Sequence, residues 1–172
     1  MARYRWAGSA AGTDVFGISE ASGPLTDLSE GQNAGNRRCY AEVHVEGPTG
    51  AWTARISSVI YDDPEGALWD EHQLLLVKYG FTLHAFAART GDAAWRYLAS
   101  TPLIALLTSA RLDHVLVQAE VETIALRADG SVAWHVTHED VIAQARLVGG
   151  HLDLTSYSGA HLLIDARTGA AV

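Results

Sequence analysis

The chain is poor in cysteine and in long apolar runs. Cys39 is the one cysteine among 172 residues, so neither an intramolecular disulfide nor a multi-cysteine metal site is possible. No apolar run approaches the roughly 18 residues that a membrane span requires. The N-terminal residues MARYRWAGSAAGTDVFG also lack the apolar core of a signal peptide. We therefore expect a soluble cytoplasmic protein that does not associate with membranes.

Basic residues are scarce as well. The chain has 12 Lys plus Arg against 20 Asp plus Glu, which gives a net charge of −8, and its only adjacent basic pair is Arg37-Arg38. Nucleic-acid affinity comes largely from neutralising phosphates, so this balance argues against nucleic-acid binding. With 48% hydrophobic and 19% charged residues, the composition is that of one globular domain over residues 1–172.

Sequence motifs of common catalytic sites are missing too. There is no Gly-x-Ser-x-Gly, no Walker loop and no His-Glu-x-x-His. The glycine- and serine-containing stretches near the N-terminus are not followed by the helix pattern that a phosphate cradle needs. These absences favour a non-catalytic protein without a cofactor.

What the chain does contain is an internal repeat. Gly91, Gly130 and Gly169 are 39 residues apart, and Trp95 and Trp134 each lie four residues after their glycine. An ungapped alignment on the glycines also superposes residues 74–80, 113–119 and 152–158. A period of about 40 residues is typical of repeat architectures such as propellers.

Each copy has the pattern of antiparallel strands joined by tight turns. Two short apolar runs precede a turn at the repeated glycine, and the next run carries the tryptophan. The Leu- and Ala-rich stretch 100–128 is also compatible with a helix, but its alignment with glycine-containing copies favours strands. We predict an all-β fold, a small propeller-like array of about three to four antiparallel blades. A β-sandwich or an open curved sheet is the alternative.

The predicted units divide the domain as follows: an N-terminal strand and irregular segment (1–38), a degenerate hairpin unit (39–61), an acidic insertion (62–72) and three repeat units (73–172). The hairpin unit rests on AEVHVEGPTGAW at 41–52, which has an alternating apolar pattern, a glycine and a tryptophan. An ordinary hairpin with no relation to the repeat explains that segment equally well.

The segment Ala-Ala-Arg-Thr-Gly-Asp-Ala-Ala-Trp at 87–95 resembles the PQQ-like repeat of quinoprotein-type β-propellers. The resemblance covers roughly residues 72–172. It implies that the tryptophan docks between blades, so that the structural residues of the repeat are Gly91, Trp95, Gly130, Trp134 and Gly169. The family's quinone-dependent dehydrogenases are much longer, exported, and use a disulfide and a metal around the cofactor. That activity is therefore not expected for this chain.

The last copy stops at Val172, before a tryptophan would appear. The N-terminal segment RYRWAG (3–8) alternates and carries Trp6, so we hypothesise that this segment completes the last blade as its outer strand. If it does not, exposed edge strands would invite pairing with a second copy of the chain.

The sequence offers two weak candidate sites. His135, His138 and Asp140 lie together in HVTHED, but strand residues three apart point to opposite faces, so a metal site there would need a bend. A polar loop is the simpler interpretation. The acidic stretch 62–72 contains possible calcium ligands in no EF-hand order. It also contains Trp69, whose ring either packs back or contacts a partner, so we name Trp69, Asp70 and Glu71 as candidate interaction residues.

These observations favour a non-catalytic protein-interaction or scaffold module built from PQQ-like repeats, with an unknown protein partner. The alternative is a small-ligand- or metal-binding protein, or an enzyme, with its site on the blade-tip face.

Overall fold

The fold is an array of antiparallel sheets. The computed structural model describes residues 3–5, 14–20, 39–47 and 50–172, with side chains for 39–46 and 50–172. The described residues contain these strands: β1 (Arg3–Arg5), β2 (Asp14–Glu20), β3 (Cys39–Gly47), β4 (Gly50–Ser58), β5 (Glu65–Trp69), β6 (Leu74–Tyr79), β7 (Thr82–Ala87), β8 (Ala93–Leu98), β9 (Leu103–Leu107), β10 (His114–Ala119), β11 (Glu122–Arg127), β12 (Val132–Thr137), β13 (Ile142–Val148), β14 (His151–Ser156) and β15 (His161–Asp165).

Consecutive strands pair into four sheets, β1–β4, β5–β8, β9–β12 and β13–β15. The fourth sheet is extended only by a single bridge between Ile164 and Ala171. The stretch 100–128 forms strands, as the repeat predicted, and the one helical element of the described residues is a single 3-10 turn at Asp70–His72. No helix in the described parts of the chain is long and apolar enough to cross a membrane.

Apolar clusters join neighbouring sheets face to face. One lies between the first and second sheets, one between the second and third, and one between the third and fourth. Among the described residues no such cluster joins the fourth sheet to the first, so the array is open. β6 and β10 are buried on both faces, whereas β14 alternates between buried and accessible residues. The predicted propeller-like all-β array is confirmed, and a β-sandwich is not formed.

A tryptophan on the outer strand of each of the first three sheets docks on the next sheet. A Cβ on Gly91 would lie 2.6 Å from the ring of Trp52, and one on Gly130 would lie 2.8 Å from that of Trp95. Trp52 and Trp95 each donate an indole N–H, over 2.8 Å, to a main-chain carbonyl beside that turn, of Ala88 and Ala128. The turn therefore needs glycine for its positive φ and for the close approach of the ring.

The third junction departs from this pattern. Trp134 packs on Gly169, where a Cβ would lie 2.7 Å from its ring, but its indole N–H is buried without a hydrogen-bond partner among the described residues. The corresponding carbonyl, that of Ala166, accepts a 2.8 Å hydrogen bond from His114 Nε2 instead. Trp52, in the segment 39–61 that was predicted as a degenerate hairpin unit, makes the same ring and hydrogen-bond contacts as Trp95.

The hypothesis that the N-terminal segment completes the last blade is wrong for the strand that the structure describes. β1 pairs with β2 in the first sheet, with Arg3 opposite Ser19 and Arg5 opposite Phe16. An antiparallel neighbour that follows directly in the chain needs only a short connection, so pairing with β2 is favoured over pairing with the last sheet. Trp6 itself lies outside the described residues.

The interpretation of residues 62–72 as an insertion is also wrong. Residues 65–69 form β5, the first strand of the second sheet, which pairs with β6 from Glu65–Lys78 to Trp69–Leu74. The acidic residues around this strand suggested a solvated loop, but one of them, Asp62, is paired within the fold. Asp62 Oδ2 lies 3.2 Å from the buried Lys78 ammonium and accepts a 3.1 Å hydrogen bond from the N–H of Gly80.

The ungapped register of the repeat needs correction as well. The turns between third and fourth strands begin at Ala87, Arg127 and Asp165, each bonded across its turn, and are 40 and 38 residues apart. Two residues connect β6 to β7 and β10 to β11, whereas four connect β14 to β15. Tyr79 and Tyr157 consequently differ, since Tyr79 is fully buried and Tyr157 is 77% exposed.

Candidate functional site

The described surface has a groove between the first and second sheets, which we call the rim groove. Its volume is about 860 Å³. One wall is the outer strand β4 and the residues that follow it, and the other is the outer half of the second sheet. The lining residues are Arg55, Ile56, Ser57, Ser58, Val59, Phe81, Thr82, His84, Ala85, Phe86, Ala93, Ala94, Trp95, Arg96 and Leu98.

A hydrogen-bonded contact at the next junction has no counterpart at the corresponding residue of this one, among the residues that the structure describes. Between the second and third sheets, Glu122 Oε1 accepts hydrogen bonds from Ser100 N at 2.8 Å and Ser100 Oγ at 2.6 Å. Glu122 lies five residues before the start of its turn, and the residue at that place in the second sheet is Thr82. Threonine is too short to reach across as glutamate does. The inner strands β3 and β6 still pack together, so only the rim stays open.

His84 is a half-buried polar residue of the groove lining. It lies three residues before its turn, where the third sheet has the fully buried Ile124 and the fourth has Leu162. Its Nε2 is shielded from solvent and has no hydrogen-bond partner among the described residues. Burial, together with the nearby Arg96 guanidinium, lowers the pKa of His84 to about 4, so the imidazole is neutral at pH 7.

Apolar side chains and positive charge surround this histidine. Leu98 is 71% exposed and Val59 62% exposed. Arg96 lies directly opposite His84 on the neighbouring strand, and the ring of Phe86 stacks against His84 with centroids 6.1 Å apart. The charged lining residues are Arg55 and Arg96, and none of the described residues of the lining is acidic.

The predicted residues of HVTHED do not share one site. His135 Nε2 lies 2.7 Å from Glu122 Oε2, whereas His138 is buried with Nε2 2.7 Å from Thr123 Oγ1. Asp140 accepts hydrogen bonds from the N–H groups of Val141 and Ser158, at 2.7 and 3.1 Å. The bonds of His138 and Asp140 hold the linker between the third and fourth sheets, whereas His135 contacts Glu122 within the third sheet, so each side chain serves a different contact.

The acidic candidates are likewise dispersed. Trp69 packs back, only 6% exposed, into the cluster between the second and third sheets, with its ring edge-on to His72 at 4.4 Å. Asp70 and Glu71 form the 3-10 turn after β5, with Glu71 exposed. Within residues 39–46 and 50–172, no three His, Cys, Asp or Glu side chains converge as metal ligands would.

Sequence reasoning missed the rim groove. A signal existed, because His84 occupies a column that holds Ile124 and Leu162 in the other sheets. An ungapped 39-residue alignment places His84 over Thr123 instead, where a polar residue attracts no attention. The turns that set the true register are 40 and 38 residues apart. An ungapped alignment therefore does not show that His84 stands where the other sheets have an apolar residue.

Solved structures with a similar fold are β-propeller-type proteins. The chain matches BamB from Moraxella catarrhalis with a TM-score of 0.62 at 18% identity, over 100% of this chain and 49% of BamB. It matches the WD40 domain of Toxoplasma gondii coronin with a TM-score of 0.61 at 9% identity, over 94% of this chain and 43% of that one. The designed protein Ika4 matches with a TM-score of 0.52 at 13% identity, over 58% of this chain and 64% of Ika4.

At such identities the likeness shows the fold alone, and the chain spans about half the length of BamB and of the coronin domain. No protein-family model matches the sequence, and no curated protein matches it significantly.

Proposed function

We propose that the chain is a non-catalytic protein-interaction module whose partner docks in the rim groove. The observation that carries this proposal is the rim of this junction: Leu98 and Val59 stand exposed beside a buried polar atom of His84 that lacks a hydrogen-bond partner among the residues that the structure describes. Exposed apolar groups that flank a concave polar site are typical of binding surfaces. Rigid propeller-type scaffolds that present such surfaces are compatible with this role.

Binding is favoured over catalysis by the arrangement of the groove. His84 Nε2 forms no hydrogen bond to any hydroxyl of the lining, so it does not activate a nucleophile there. A partner that covers Leu98 and Val59 would remove apolar surface from water, which favours association.

Site-specific photo-crosslinking in cells tests this proposal. A benzophenone amino acid at Leu98 should form an adduct with a partner protein, and Val59→Glu in the same chain should abolish the adduct by placing a charge at the groove mouth. Val148 is the matched control position, since it is 60% exposed on the fourth sheet and far from the groove in the array. Adducts that form equally at Val148, or that persist with Val59→Glu, would overturn the proposal.

The 3-10 turn remains a second candidate contact. Glu71 is exposed and Asp70 half-buried there, so an acidic surface beside β5 would favour a basic partner surface. The same crosslinker at Glu71 distinguishes this surface from the rim groove. An adduct with a second copy of the chain at either position would identify self-association.

A further inference from the structure

His114, the first residue of β10, links the third sheet to the fourth. Its side chain is 2% exposed, and both ring nitrogens have partners: Nδ1 lies 2.7 Å from Asp113 Oδ1, and Nε2 lies 2.8 Å from the main-chain oxygen of Ala166. A carboxylate and a carbonyl oxygen can only accept a hydrogen bond, so both nitrogens must donate. A histidine that donates through both nitrogens is the doubly protonated imidazolium.

Asp113 supplies the counter-charge for this buried cation. Its side chain is 89% exposed, and the hydrogen bond from His114 lowers its pKa, so it is a carboxylate at neutral pH. A buried charge is tolerated where an opposite charge is within hydrogen-bond distance, because the attraction offsets part of the cost of leaving water. The pair therefore explains how an imidazolium is accommodated at this junction.

The carbonyl of Ala166 has a second potential donor. At the two preceding junctions, the indole N–H of Trp52 or Trp95 donates to the carbonyl at this place in the turn. Trp134 packs on its turn in the same way, with its ring nearly perpendicular to that of His114 and centroids 6.0 Å apart. Its Nε1 is nevertheless buried without a hydrogen-bond partner among the described residues, which costs free energy. His114 thus occupies the acceptor that the indole lacks.

The other charged groups near His114 have contacts of their own. Arg127 lies opposite His114 on β11, but its guanidinium donates over 3.0 Å to a main-chain carbonyl of β12. The carboxylate of Asp165 accepts hydrogen bonds from N–H groups of its own turn. The ionisable residues at this end of the third and fourth sheets are Asp113, Arg127, Asp129, His151, Asp165 and Arg167.

We infer that the junction between the third and fourth sheets is a pH-dependent switch in which His114 and Trp134 compete for the carbonyl of Ala166. At low pH the imidazolium donates to that carbonyl and to Asp113. As the pH rises, Nε2 releases its proton to solvent, whereas Asp113 retains the proton on Nδ1. The lone pair then exposed on Nε2 repels the carbonyl oxygen, and the indole N–H takes its place, as at the other two junctions. The switch acts on the contact that seats the fourth sheet and does not involve the rim groove.

A pH titration of the full ¹⁵N-labelled chain by NMR tests this inference between about pH 5 and pH 9. At the acid end, both ring nitrogens of His114 should carry a directly bonded proton. As the pH rises, Nε2 should lose its proton, and the indole N–H signal of Trp134 should move downfield with the same midpoint. The indole of Trp95 is the internal control, since it is already bonded to the carbonyl of Ala128 and should not move.

Two variants separate the switch from a structural role of the histidine. Asp113→Asn should move both transitions to lower pH, because an amide stabilises the imidazolium less than a carboxylate does. Asp129→Asn should leave them unchanged, since Asp129 is also exposed at this end of the third sheet but bonds Ser131. His114→Phe should place the Trp134 indole signal at its hydrogen-bonded position at every pH.

Several results of the titration would overturn the inference. The switch is absent if the ring of His114 carries one proton at about pH 5, or still carries two at about pH 9. It is also absent if the indole signal of Trp134 does not follow the titration of the ring. Midpoints that are the same in Asp113→Asn and in the parent would overturn the role of Asp113. These readouts come from the parent chain and from an exposed substitution, so they stand even if His114→Phe does not fold.

Discussion

At the scale of single residues, the packing of a tryptophan ring on a glycine of the next sheet is the contact that recurs between neighbouring sheets. Gly130 has φ +83°, and a Cβ there would lie 2.8 Å from Trp95 Cγ. Gly149 has φ +60°, but a Cβ there would meet nothing within 4 Å. The two glycines therefore share the backbone requirement and differ in packing.

Gly130→Ala is expected to destabilise the protein by about 2–4 kcal/mol, because a left-handed alanine and an overpacked ring contact each carry a cost. Gly149→Ala should lower the free energy of unfolding only by the cost of a left-handed alanine, about 1–2 kcal/mol. Urea unfolding of the two variants and the parent measures the difference. If both variants lose the same stability, the docked tryptophan contributes nothing beyond the shape of the turn.

At the scale of structural elements, aspartates secure the linkers that lead into the first strands. Asp140 holds the N–H of Ser158 beyond β14, as Asp62 holds that of Gly80 beyond β6. Hydrogen bonds from Ser158 and Ser156 lower the pKa of Asp140 to about 2 from its ordinary 3.8. A lowered folded-state pKa means that the stabilisation is complete above the unfolded pKa and is lost as the pH falls through the folded one.

Asp140→Asn should therefore flatten the acid dependence of stability between about pH 4 and pH 2, while lowering the Tm at neutral pH through weaker hydrogen bonding. Thermal melts across this range check both effects. Asp153→Asn on β14 is the control for the loss of a carboxylate in the same sheet. A variant whose Tm falls with acid as steeply as that of the parent would contradict the assignment.

The elements differ in how far the sequence could predict them. The glycine and tryptophan columns predict the last two strands of each unit, since a turn with positive φ and a docked ring leave few alternatives. β5 escaped prediction because the acidic residue Asp62 before it is bound by Lys78 and Gly80, and those partners become adjacent only on folding. The rim groove was not predicted for a related reason. That His84 replaces an apolar residue is visible only in the register set by turns of unequal length.

At the scale of the whole molecule, the open array predicts a gradient of stability. The second and third sheets each pack against two neighbours, whereas the fourth packs against one through the described residues. In stacked repeats, stability is close to a sum of intrinsic and nearest-neighbour terms, so a terminal unit opens more readily than an inner one.

Native-state hydrogen exchange should show this gradient between β10 and β14, which are matched because each pairs with a strand on both sides. Amides of β10 should exchange at least about tenfold more slowly, the equivalent of one lost interface contribution of 1.4 kcal/mol or more. β10 is buried along its whole length and β14 on one face only, which supports this order. Equal protection in dilute protein would mean that the fourth sheet has a second neighbour, and protection of β14 that rises with protein concentration would identify that neighbour as another copy of the chain.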